Sequence, residues 1–337
     1  MMPLLPRDRL VGLLDAARGL RVTIVGDAML DVYLHGDVDR ISPEAPVPVV
    51  RVRERRMALG GAANVAQNVA ALGGRAVLVA TVGDDAAGRQ LHSMLSAIEA
   101  DPAGLVTVER PTTTKTRVLA RVQQVVRFDE EEDGNLSADE GAAVLATLER
   151  VIAQSDAVVL EDYNKGLLVP AVIERAMSLA RARNIPVVVD PKFHNFFCYA
   201  GATIFKPNRR ELDSALGAEV DLDHPEALPL TFDRLGVEHL LLTLGERGMA
   251  LISADGEIGR IPTTAREVYD VVGAGDTVTA YLATMMAAGG TPAEAALIAN
   301  FAAGVEVGKL GAATVTPQEV LDAYDDFASD TVRSDTG

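Results

Sequence analysis

Short runs of β-branched and aliphatic residues alternate with longer alanine-rich segments along most of the chain, and no other feature narrows the possible folds as much. Residues 22–26, 76–82, 157–160, 186–189, 202–205 and 239–243 read as apolar strands bounded by Gly, Asp or Pro. Residues 62–72, 88–99, 138–153, 171–183, 276–288 and 292–309 carry helical patterns. Near-continuous apolar strands need cover on both faces, and a helix is the usual way for a chain to return to a parallel neighbour. The sequence therefore predicts an α/β fold, a mostly parallel sheet with helices on both faces. Residues 47–56 and 112–128 break the rhythm: they are β-rich, alternating and more polar, as expected of a small sheet standing off the main one. They predict a β lid at about 33–58 and 105–128 within a single domain over residues 1–329, with 330–337 a flexible tail.

Composition removes several function classes. With a net charge of −17, a nucleic-acid partner is disfavoured, and an anionic substrate would need a local basic patch. Cys198 is the only cysteine, which excludes an internal disulfide framework and a thiolate metal cluster. No apolar run approaches a membrane span, and the N-terminal residues lack a signal peptide's order, so a cytoplasmic protein is expected. The acidic run at 129–133 reads as a solvated loop.

Ligands of parallel sheets bind beyond the carboxyl ends of the strands, and polar clusters fall there. Asp27 and Asp31 follow the first strand, Asp162 and Lys165 another, Asp190 and Lys192 the next, then Asn208 and Glu211, then Gly245 and Gly248. The segment V-Y-D-V-V-G-A-G-D at 268–276 sets a small-residue turn, Gly273-Ala274-Gly275, at the start of a helix, where backbone amides and the helix dipole favour an anion. Asp276 in that first turn is either a helix cap or a base facing an anion hole. Gly60-Gly61 with Asn64 permits close backbone approach and supplies an amide for sugar hydroxyls, or is simply a glycine-rich helix start. Asn208 and Glu211 have the spacing of a capping box and equally that of a pair orienting hydrated Mg²⁺. Thr243-Leu244-Gly245-Glu246-Arg247-Gly248 is a plain hairpin or a nucleotide-phosphate loop. No dinucleotide fingerprint, Walker motif, H-E-x-x-H or G-x-S-x-G is present.

In this order the glycine-glycine-Asn segment, N-x-x-E, T-x-G-x-x-G and G-A-G-D resemble the ribokinase-like (PfkB) sugar kinases, from about residue 22 to 316. The resemblance implies that Asp276 deprotonates a sugar hydroxyl while Gly273, Ala274 and Gly275 form the anion hole. Asp31, Asn64, Gly60 and Gly61 would hold sugar, with Asp27 beside them a further substrate candidate. Asn208, Glu211, Thr243, Gly245 and Gly248 would serve ATP, with Glu211 acting on Mg²⁺ through water; Asn300 is a candidate adenine contact from its place on a late helix. Asp270 matches a carboxylate that helps ligate a monovalent cation, expected to be K⁺. A homodimer built through the lid is also implied.

Six segments resemble, more specifically, the D-glycero-D-manno-heptose 7-phosphate kinases of ADP-heptose biosynthesis: V-G-D-A-M-L-D-V-Y, R-I-S-P-E-A-P-V-P-V-V, T-K-T-R-V-L-A-R-V-Q-Q-V-V-R-F-D, E-D-Y-N-K-G, D-P-K and E-V-Y-D-V-V-G-A-G-D. They imply ATP-dependent phosphorylation of the anomeric hydroxyl to a heptose 1,7-bisphosphate. Lys115, Arg117 and Lys192 would face the existing phosphate, although basic residues also suit a solvent-facing strand edge. Bifunctional relatives add a nucleotidyltransferase with an H-x-G-H signature; without one, this sequence is expected to phosphorylate and not adenylylate. Phe193-His194-Asn195-Phe196-Phe197 departs from the family's Gly and Asp after D-P-K. Another PfkB-type sugar or sugar-phosphate kinase is the alternative, and a non-catalytic sugar- or nucleotide-binding regulator on this fold is the second.

Overall fold

In the computed structural model, which describes residues 2–121, 123–223, 228–265 and 267–334, the expected strands are covered on both faces. Helix α1 (Arg7–Ala16) leads into β1 (Arg21–Gly26), β2 (Ala28–Ile41), β3 (Pro48–Gly61), α2 (Ala62–Ala71), β4 (Arg75–Gly83), α3 (Ala86–Ala97) and β5 (Leu105–Val108). Next come β6 (Thr114–Ala120), β7 (Gln123–Glu130), α4 (Ala138–Ile152), β8 (Ala157–Glu161), α5 (Pro170–Arg183), β9 (Val187–Asp190) and β10 (Ile204–Phe205). The rest is α6 (Arg209–Leu216), α7 (Leu228–Leu235), β11 (His239–Thr243), β12 (Met249–Ser253), β13 (Ile258–Ile261), α8 (Ala274–Ala287), α9 (Pro292–Glu306) and α10 (Pro317–Ser334).

The main sheet has nine strands in the order β13-β12-β11-β10-β9-β8-β1-β4-β5, with β12 antiparallel to both its neighbours and every other pairing parallel. Alternation within each strand divides the core into two layers. Val22 and Ile24 of β1 and Ala157 and Val159 of β8 face a layer with α1, α2, α8, α9 and α10. Val25, Val158 and Leu160 face the opposite layer, with α4, α5 and α7. From β1 the chain moves outward to β4 and β5, then crosses to β8 and proceeds the other way, so a topological switch point falls between β1 and β8.

The lid is a four-stranded sheet, β3-β2-β6-β7. It differs from the expected lid in two ways, and it removes the edge-strand alternative for Lys115 and Arg117. It starts at Ala28, because β1 continues into β2 across Asp27. Its second half begins at Thr114, since Leu105–Val108 instead pairs with β4 at the edge of the main sheet. The strand bearing Lys115 and Arg117 lies between β2 and β7 and is not an edge. At the other end of the chain, α10 runs to Ser334, beyond the predicted start of the tail, and Val320 and Tyr324 on its inner face join the core; residues 335–337 lie outside the described residues. No helix among the described residues is long and apolar enough to cross a membrane.

Candidate active site

The carboxyl ends of β1, β8 and β9 pack against α8, whose first turn at Gly275 faces Asp190 after β9 and Lys206 after β10. Gly273 caps α8 at φ 97°, a left-handed conformation that glycine adopts without strain. The amides of the first helical turn have no intrahelical acceptor; that of Ala274 turns to the Val271 carbonyl at 3.5 Å, and those of Gly275 and Asp276 follow it in the turn. Asp276 is buried: its Oδ2 accepts from Asn64 Nδ2 at 2.7 Å and its Oδ1 from the Tyr163 hydroxyl at 3.0 Å. Burial pushes its carboxyl up to about 6, against the pull of the Asn64 hydrogen bond and with the charge of Asp190 reinforcing the rise. A carboxylate so placed is ionised at neutral pH yet basic enough to take a proton from a hydroxyl.

Beneath the turn lies a buried ionic cluster. Lys206, just past β10, donates from Nζ to Asp190 Oδ2 at 2.6 Å. Burial lowers the ammonium's pKa, but the charges of Asp190 and Glu161 outweigh it and leave it raised. Glu161, at the end of β8, is fully buried and neither carboxylate oxygen has a hydrogen-bond partner. Burial, then the charges of Asp190 and Asp276, hold its carboxyl well above the usual range.

Asp31 on β2 pairs with Arg117 on β6, and Arg117 also lies over the Tyr33 ring at 5.3 Å. A side chain at Gly60 would collide with the Asp31 carboxylate, and one at Gly61 (φ 57°) with the carbonyl of Asp27. Asp27 itself is otherwise employed: Oδ2 accepts from the amides of Tyr163 at 2.9 Å and Lys165 at 3.0 Å, and Oδ1 from that of Leu167 at 3.4 Å. Three of its acceptor positions are thus taken by backbone amides, and it braces the 163–167 loop, a structural role its assignment to substrate did not include.

The cations expected to converge are held by different carboxylates. Lys115 pairs with Asp129 and Glu131, Arg117 with Asp31, and Lys192 with Glu211. Lys192 also stacks over the Tyr163 ring at 5.5 Å, placing it between the Asp276 side and the N-x-x-E side. Within the acidic run, Asp129 and Glu131 are engaged by lysines, so the run is not merely a solvated loop.

Asn208 and Glu211 form a capping box at the start of α6, each side chain accepting the other's amide at 2.9 Å, while Glu211 Oε1 takes Lys192. Thr243 ends β11 and bridges Asn208. Gly245 and Gly248 flank the β11–β12 turn at φ 63° and 82°. Asn300 is 3% exposed and donates to the Pro262 carbonyl at 2.9 Å, so its side chain ties α9 to the 262–265 segment instead of reaching toward a base. Asp270 accepts from the amides of Val272 at 3.1 Å and Gly311 at 3.2 Å. Near it, Glu306 is fully buried with both oxygens unpartnered, and burial and the charge of Asp270 push it up to about 8.

Lys206 and Glu306 were not singled out by sequence reasoning, and Glu161, Tyr163 and Glu131 entered it only within E-D-Y-N-K-G and the acidic run, without a site role. Lys206 did leave a signal: a lysine ending the apolar strand of I-F-K-P-N is costly unless paired.

Residues 20–319 match the pfkB family of carbohydrate kinases. The chain is 46% identical over 320 residues to bifunctional protein HldE of a Caulobacter species, covering 93% of this chain and 64% of that protein. It is 43% identical over 315 residues to bifunctional protein HldE of Paramagnetospirillum magneticum, covering 93% and 64%. It thus spans under two thirds of the length of these relatives. Among solved structures, Arabidopsis thaliana ribokinase complexed with ribose and ATP superposes with a TM-score of 0.72 at 21% identity, over 91% of this chain and 99% of that one. Escherichia coli phosphofructokinase-2 in complex with potassium gives 0.74 at 18%, over 92% and 99%; both likenesses are of fold.

Proposed function

The chain belongs to the pfkB family of carbohydrate kinases and is a sugar kinase, and on that premise we propose that it transfers the γ-phosphoryl group of ATP to the anomeric hydroxyl of a heptose 7-phosphate. The product is a heptose 1,7-bisphosphate, a precursor for ADP-heptose. The chemical half of the proposal rests on one observation, the Asp276 carboxylate buried between Asn64 and Tyr163 at the start of α8. The substrate half rests on the resemblance carried by R-I-S-P-E-A-P-V-P-V-V and T-K-T-R.

Asp276 takes the hydroxyl proton as that oxygen bonds to the γ-phosphorus; the bond to the β,γ-bridging oxygen breaks and ADP leaves. The amides of Gly273, Ala274 and Gly275 receive the charge on the transferred group, with Lys206 as a fixed cation behind them. Asn64 and Tyr163 orient the base, and Asp31, Gly60 and Gly61 seat the sugar. Asn208, Thr243, Gly245 and Gly248 lie on the nucleotide side. Phosphorylation by this family uses a divalent metal, taken here to be Mg²⁺, which neutralises phosphate charge. No group of three or more His, Cys, Asp or Glu among the described residues could hold a metal ion. That suits an ion carried by phosphates and water with Glu211 at its hydration shell. The unpartnered carboxylate of Glu306 beside Asp270 fits a monovalent cation such as K⁺. A cytoplasmic homodimer joined through the lid completes the proposal.

A kinase for another sugar or sugar phosphate is favoured by one observation, that Lys192 lies with Glu211 and not with Lys115. ADP release with ATP, Mg²⁺ and K⁺ separates the readings. Heptose 7-phosphate should be turned over in preference to unphosphorylated sugars and fructose 6-phosphate, and Asp276→Asn should lower kcat by about 10²–10⁴-fold. Preference for another sugar would discard the heptose and keep the kinase.

A further inference from the structure

We infer that Lys115 and Lys165 form a two-point clamp for the phosphate that the sugar carries away from its reacting hydroxyl, and that Glu131 fills the clamp when no sugar is bound. This rests on the reading of the chain as a sugar-phosphate kinase. Lys115 comes from the lid and Lys165 from the body, yet both grip one carboxylate: Lys165 Nζ donates to Glu131 Oε1 at 2.7 Å and Lys115 Nζ to Oε2 at 3.3 Å. Their side chains are only 15% and 16% exposed, so both ammonium groups are drawn inward.

The clamp has a defined relation to the chemistry. Lys165 is two residues from Tyr163, whose hydroxyl holds Asp276 at 3.0 Å, and its own amide is fixed on Asp27 at 3.0 Å. Lys115 stands opposite Asp31 in the β2–β6 ladder. A sugar lying between Asp31 and Asp276 therefore has its far end near these two lysines. The other basic residues are committed elsewhere, Arg117 to Asp31 and Lys192 to Glu211. Two partly desolvated ammonium groups drawn to one point repel each other unless an anion lies between them. Glu131 is the one carboxylate that both lysines share, with a single negative charge and two oxygens, and Asp129 Oδ2 meets Lys115 alone, at 3.4 Å. A phosphate monoester supplies nearly two charges and three oxygens, so it displaces the carboxylate. A neutral sugar cannot, and meets the acidic side chain instead. Glu131 thus excludes unphosphorylated substrates as well as protecting the empty clamp.

Two measurements test this separately from the heptose assignment. The first is the dissociation constant of inorganic phosphate for wild type, Lys165→Gln, Lys115→Gln and Glu131→Gln, with Glu131→Asp as a charge-conserving control for folding. Phosphate should bind several-fold tighter to Glu131→Gln and at least tenfold weaker to either lysine variant; binding indifferent to both lysines would overturn the clamp. The second is steady-state kinetics with heptose 7-phosphate. KM for the sugar phosphate should rise tenfold or more in the lysine variants and fall in Glu131→Gln, with KM for ATP as the internal reference. Phosphate binding that follows the expected pattern without turnover of heptose 7-phosphate would sustain the clamp and discard the heptose. Lysine variants that turn over heptose 7-phosphate with an unchanged KM would discard the clamp.

Discussion

Asp276 gains its character from two opposed influences acting on one side chain: burial raises its pKa, and the hydrogen bond from Asn64 lowers it. Since the base acts in its ionised form, activity should fall as pH drops through about 6. Asn64→Ala removes a donor to the charged form, so the acidic limb of the kcat/KM profile should move to higher pH. The variant should lose about tenfold more at pH 6 than at pH 8; a limb that stays in place would detach Asn64 from the base. The two glycines of the turn should separate in the same spirit. A Cβ at Gly275 would lie 3.7 Å from Lys206 Nζ and 3.8 Å from Asp190 Oδ2, ordinary contacts, whereas one at Gly273 would sit 3.2 Å from Ala312 in a left-handed conformation. Gly275→Ala should therefore keep its Tm, helped by up to about 1 kcal/mol of helix propensity, while kcat/KM drops as the methyl crowds the phosphoryl position. Gly273→Ala should lower Tm. Asp276, Asn64 and Asp31 were legible in the sequence because their motifs are local. Glu161 and Lys206 were not, because each matters through what sits on adjacent strands: β8 supplies Glu161, β9 supplies Asp190, and Lys206 follows β10.

At the scale of elements, the capping box of α6 also steadies Glu211, whose other oxygen holds Lys192. Asn208→Ala should cost about 1 kcal/mol of stability and raise KM for ATP more than KM for the sugar; thermal denaturation and steady-state kinetics check both. The buried parallel strands were readable because apolar runs such as L-L-L at 240–242 need cover on both faces. The four-residue β5 and the terminal helix α10 were not. The first is too short to carry a period, and the second was not among the helical patterns read, because acidic residues interrupt its apolar stripe of Val320 and Tyr324. The lid was read from its alternating strands, but its first strand was placed late, since Ala28–Ile41 begins inside the Asp27–Asp31 cluster that reads as ligand-binding loop.

On the whole molecule, the lid strands and the β2–β3 connection leave Ile41 60%, Val47 51%, Val52 47%, Val126 48% and Phe128 46% exposed, and exposed apolar groups in number suit a protein interface. Light scattering should find a dimer, and Ile41→Asp with Val52→Asp should shift it toward monomer; a dimer untouched by both changes would place the interface elsewhere. β1 passes into β2 across Asp27 alone, β3 passes directly into α2, and the Ala62 amide donates to the Asp27 carbonyl at 3.1 Å, so both roots of the β2–β3 ribbon meet at one residue. The Asp27 carboxylate simultaneously holds the loop that carries Tyr163 and Lys165. Asp27 therefore links the root of the lid to the loop beside the base, so a tilt of the lid would reach that loop through one residue.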